Sequence, residues 1–145
     1  MMLLSQISGL PVMDTAEALQ VGVVGGLVLA AHPPRVLALR LKKSGRSGSF
    51  LMWEDVQAIG HDAVMARTHA LQDADGDLAA PAAVCKNLLG RRILTDQGAE
   101  AGTFQDIDID TDTGAVLAVH SANSRFPGTA LTGIGSYALI IATAP

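Results

Sequence analysis

Residues 50–65 read Phe50-Leu51-Met52-Trp53-Glu54-Asp55-Val56-Gln57-Ala58-Ile59-Gly60-His61-Asp62-Ala63-Val64-Met65, and this stretch decides the fold. Phe50 to Trp53 reads as a short strand, Glu54-Asp55 as an acidic corner, and Val56 to Ile59 as a second strand. Gly60-His61-Asp62 then turns the chain into Ala63-Val64-Met65. Apolar runs this short, punctuated by Gly and Asp, are strand signals and are too brief to carry a helical period.

Working upstream, Val21 to Ala31 is a β-rich run interrupted by Gly22, Gly25 and Gly26. Glycine inside a strand marks a bulge, a bend or a close backbone approach. His32-Pro33-Pro34-Arg35 is a turn, because proline cannot donate to a ladder and restricts the residue before it. Val36 to Leu41 is the next strand, and the Gly- and Ser-rich stretch 42–49 is a loop. Near the start, Gly9-Leu10-Pro11-Val12 is a turn entering a short strand. The spacing predicts an all-β protein and not βαβ units.

Downstream the pattern recurs. Leu88-Leu89-Gly90-Arg91-Arg92-Ile93 answers Ile7-Ser8-Gly9-Leu10-Pro11-Val12, and Ala101-Gly102-Thr103-Phe104 answers Val21-Gly22-Val23-Val24. Ala115 to Val119 answers Arg35 to Leu39, and Ile134-Gly135 to Ile140 answers Ile59-Gly60 to Met65. A period this long signals duplicated units and not a solenoid. The boundaries expected are 1–67 for the first unit, 68–85 for a polar, Ala- and Asp-rich linker, and 86–145 for the second. A short helix is expected within Ala79 to Leu89, after Pro81.

These residues resemble the PRC-barrel family. The resemblance rests on Gly9 to Val12, on the Gly-containing strand Val21 to Ala31, on Asp110 to Val119, and on Trp53-Glu54-Asp55-Val56 to Gly60. The first copy departs at His32-Pro33-Pro34, where the family has an Asp-x-x-x-Gly turn. The second departs at Arg125 to Ala130, where it has the Trp-Glu-Asp corner. The resemblance implies two small β-barrels in tandem, related by a pseudo-twofold repeat. In the family such barrels occur in the cytoplasmic part of the photosynthetic reaction centre H subunit and in a ribosome-maturation factor of the small subunit. There they serve interaction or assembly, and the family pattern carries no catalytic residues.

Composition narrows the classes further. Apolar residues make up 49% and aromatics 3%, so aliphatic side chains must do the packing. The formal charge of -4 offers no general attraction to nucleic acid or to an anionic membrane. The one basic run, Arg40 to Arg46, reads as a solvated loop. Val21 to Ala31 is too short to span a bilayer, which needs about 20 residues, and the N-terminus lacks the basic region of a signal peptide. A single cysteine, Cys85, excludes an intrachain disulfide and fits a reducing, cytoplasmic setting.

The sharpest local motif is Asp106-Ile107-Asp108-Ile109-Asp110-Thr111-Asp112-Thr113-Gly114. Alternation on a strand could gather Asp106, Asp108, Asp110 and Asp112 as oxygen ligands for a divalent cation. The simpler expectation sends Ile107 and Ile109 inward, the aspartates to water, and Asp110 to Gly114 into a hairpin turn. Glu54 and Asp55, adjacent on a strand, point apart and make no acid/base pair, while Trp53 is expected to plug a barrel end. His32, His61, His69 and His120 lack metal-ligand spacing. The preferred expectation is therefore a non-enzymatic protein-interaction or assembly module that forms homo-oligomers and has no cofactor. Its alternatives are a small-ligand or divalent-cation binding protein and an RNA- or ribosome-associated factor.

Overall fold

The computed structural model describes residues 1–42, 49–67 and 71–143. Most of the basic loop (43–48) and His69 lie outside the described residues. The first half comprises β1 (Met2–Leu3), α1 (Leu4–Ile7), β2 (Pro11–Asp14), β3 (Leu19–Ala31), β4 (Pro34–Lys42) and β5 (Phe50–Met52). A 3-10 turn at Trp53–Asp55 leads to β6 (Val56–Ile59) and β7 (Val64–Ala66). A second 3-10 turn (Gly76–Leu78) and α2 (Ala79–Val84) lead into β8 (Arg92–Thr95), β9 (Glu100–Thr103), β10 (Asp106–Ile109) and β11 (Val116–His120). β12 (Arg125–Pro127), a third 3-10 turn (Gly128–Ala130), β13 (Leu131–Ile134) and β14 (Ala138–Ile141) complete the chain.

The protein is mostly β. The first half forms one six-stranded sheet, ordered β5-β4-β3-β2-β7-β6. The second half divides the same order between two sheets, β1-β10-β11-β12 and β13-β14-β8-β9. Among the described residues each sheet is open as a hydrogen-bonded ladder. The stretch 50–65 folds as its pattern predicts, with the acidic corner wound into a 3-10 turn between β5 and β6.

The two halves make matching hydrogen bonds. Gly9 N–H donates to Val24 O and Gly90 N–H to Phe104 O, each at 2.8 Å. Both glycines take positive φ, +88° and +85°, a conformation that costs glycine little. β2 runs parallel to β7 with Val12 opposite Val64, and β8 runs parallel to β14 with Ile93 opposite Leu139. The β3–β4 ladder has a register shift between Val28 and Leu29, matched between Asp108 and Ile109 in β10–β11. The turns close alike, with Gly60 N–H to Ala63 O and Gly135 N–H to Ala138 O.

Each half is sealed by the segment that leads into the other. β1 pairs with β10, Leu3 opposite Asp108. The lead-in to the second half lies on the first: Leu29 N–H donates to Cys85 Sγ at 3.3 Å, and Arg40 Nη2 to Ala82 O at 2.7 Å. At a further seam Val36 N–H donates to Gly114 O at 2.8 Å, and Arg35 bridges Ala115. One hydrophobic core runs through both halves, with Ile7, Val12, Leu39 and Val64 from one and Ile93, Phe104, Ile107 and Leu139 from the other. Burial of each such side chain stabilises by roughly 1.5–3 kcal/mol.

Two elements differ from the sequence expectation. Residues 4–7, which the sequence pattern assigned to no element, form one helical turn. Leu4 and Ile7, three apart, both reach the core, and the Gln6 side chain accepts the Leu3 N–H at 2.8 Å. The stretch 71–85, expected as linker, packs: Leu78, Ala82 and Cys85 are buried. Within it the helix runs over Ala79–Val84 and starts before Pro81 instead of after it, because in the first turn a missing N–H loses no helical bond. No helix among the described residues is long and apolar enough to cross a membrane.

Candidate functional site

β10 and the turn after it carry the aspartate series, and the four carboxylates lie in different surroundings. Asp106 Oδ1 accepts the Ser5 N–H at 3.1 Å, at the start of α1. Asp108 Oδ2 lies 3.2 Å from His120 Nε2 and 3.9 Å from Arg125 Nη2. Asp110 Oδ1 accepts the N–H groups of Asp112 and Thr113 at 2.8 and 3.2 Å, closing the hairpin. Those two backbone donors, Asp112 first, hold the Asp110 carboxyl below the usual carboxylate range. Asp112 is exposed.

The expected cation-ligand set is therefore corrected: the four do not converge, and no group of three or more ligating side chains gathers among the described residues. Asp108 also departs from the expectation that it faces water. It is buried, because β1 lies alongside it and because His120, on the same face of β11 and diagonal to it, approaches its carboxylate. Ile107 and Ile109 are fully buried, as the alternation predicts.

At the Trp53-Glu54-Asp55 corner the conformation is a backbone property. Arg67 N–H donates to Asp55 O, and at the matching place in the second half Ala142 N–H donates to Ala130 O. Glu54 is exposed, neither acidic side chain caps the turn, and Arg67 Nη1 bonds the carbonyls of Glu54 and Val56. Half-buried Trp53 lies on the Gly114 turn of the other half, its ring 2.8 Å from where a Cβ of residue 114 would sit.

A cleft opens beside Cys85, between β3, β4 and the segment entering β8. It has a volume of about 300 Å³ and is walled by Leu4, Leu27, Leu88 and Leu89, with Arg40 and Lys86 contributing charge. Arg40 is held in place by Ala82 O and by stacking 4.9 Å over the Phe50 ring. Cys85 is buried, and burial pushes its thiol up against the opposing effects of the Leu29 N–H, Arg91 and Arg40. That keeps the thiol neutral and a poor nucleophile. A second hollow, about 400 Å³, lies between β3 and β13 and is lined by Leu29, Ala31, Pro81, Val84 and Ile134, with His32 at its edge.

Sequence reasoning passed over the cleft. Its signal was present in the repeat: Gly25-Gly26 stands where the second half has Gln105-Asp106. A scan against family models and a search of curated proteins both find no match for this chain.

Proposed function

We propose that the chain is a non-enzymatic interaction module, built of two PRC-barrel-like units around a shared core, that self-associates through the end of the β8–β14 ladder. One observation carries this reading. Leu89 and Tyr137 are 60% and 66% exposed, and the parallel register of Arg92 with Ala138 puts them at the same end of that ladder. There the Arg92 guanidinium stacks 5.2 Å over the Tyr137 ring and hydrogen-bonds its hydroxyl. Tyrosine and arginine held rigid on a surface are the residue types that anchor protein–protein contacts. A second copy is the favoured partner, by analogy with the two halves, which pack on one another at the Val36–Gly114 seam. The RNA-associated reading rests on family resemblance alone, and the charge of -4 works against it.

Light scattering across a dilution series tests the proposal. The wild-type chain should form a dimer or larger assembly at high concentration, and the double variant Leu89→Glu, Tyr137→Glu should remain monomeric. A wild-type chain that is monomeric throughout would refute it.

A further inference from the structure

The duplicated fold supplies an internal comparison for the cleft beside β3. Matched hydrogen bonds set Val24 against Phe104 and Ile7 against Leu88. The ladder registers set Leu27 opposite Leu39 and Ile107 opposite Val119. Gly25 and Gly26 therefore occupy the places of Gln105 and Asp106, and counting back from Leu88 puts Lys86 in the place of Ser5. Cross-strand neighbours agree, since Gly26 faces Arg40 and Asp106 faces His120.

In the second half this place holds a carboxylate. Asp106 sits opposite His120 and accepts the Ser5 N–H at 3.1 Å. In the first half the carboxylate is missing, and a Cβ at Gly26 would meet nothing within 4 Å. Its neighbours are cationic, Arg40 in the place of His120 and Lys86 in the place of Ser5, and the cleft's lining contains neither Asp nor Glu among the described residues. The rest of the wall is aliphatic, from Leu4, Leu27, Leu88 and Leu89. A volume of about 300 Å³ stands at the small end of ligand sites.

We propose that this cleft binds a short aliphatic carboxylic acid, its carboxylate between Arg40 and Lys86 where the second half carries Asp106, its chain against the leucines. Charge-assisted bonds from Arg40 and Lys86 hold the head, and two cations facing one anion discriminate against a neutral alcohol of equal length. This site goes beyond the assembly reading and shares Leu89 with its surface, so the titration is run at a concentration where light scattering shows monomer.

The test is titration of hexanoate into the full chain, followed by amide NMR shifts, with hexan-1-ol as the uncharged counterpart. Saturable shifts should cluster at residues 25–27 and 85–89, and hexan-1-ol should bind about tenfold more weakly or worse, the ratio expected for losing a charge-assisted hydrogen bond. Gly26→Asp, which places a built-in carboxylate in the cleft, should abolish hexanoate binding while shifts remote from the cleft stay unchanged. Lys86→Gln, an exposed change that leaves the core alone, should weaken binding by about tenfold. No saturable shift with hexanoate, equal binding of hexan-1-ol, or undiminished binding by Lys86→Gln would overturn the proposal.

Discussion

Gly128 shows how one position separates the two halves. A Cβ built there lies 1.8 Å from Val116 O, so any side chain drives into backbone that cannot yield cheaply. By strand register Gly128 stands where the first half has Trp53, since Met52 faces Ala38 and Pro127 faces Ala118. The second half has no Trp-Glu-Asp corner, and at that place β11 passes too close for any side chain. Gly128→Ala should destabilise the protein by about 3 kcal/mol, the upper end of overpacking costs, visible as a lower urea midpoint with an unchanged slope. An unchanged midpoint would show that the contact relaxes freely. The glycine was legible in the sequence as a departure from the repeat. Its cause was not, because the clash is with a strand 12 residues away in the chain.

At the scale of an element, the β10–β11 hairpin depends on the Asp110 carboxylate. Its lowered pKa, caused first by the Asp112 N–H and then by that of Thr113, means the folded state prefers the ionised form. The contribution to stability is therefore present above the unfolded value near 3.8 and is lost as pH falls through the lower, folded value. An NMR titration should show the Asp112 and Thr113 amide protons shifting with one midpoint below 3.8. A midpoint at or above that value would contradict the geometry. The turn itself was readable from Asp110 and Gly114, whose φ is +79°. The fate of Asp108 was not, because its burial depends on β1, 105 residues earlier in the chain, and on His120.

For the whole molecule, the exchange of lead-in segments makes the halves interdependent. The 1–67 fragment would lose the lead-in 71–88 that covers β3, and the 86–145 fragment would lose β1, whose partner is β10. Neither should fold alone, while fragments 1–75 and 76–145 mixed together should recover native-like circular dichroism. Independent cooperative unfolding of either short fragment would show that the halves are separable.

The sequence by itself determined the strands, the glycine turns and the repeat, because alternation, β-branched runs and φ-permissive residues act locally and survive in each copy. Tertiary structure alone decided which copy's lead-in lies on which sheet, that residues 71–85 pack instead of linking loosely, and that four aspartates in one strand and turn go to four separate surroundings. It also decided that Arg40 and Lys86, far apart in sequence, face the space left by Gly26. Those outcomes rest on long-range contacts in a shared core, and no local pattern in either copy encodes them.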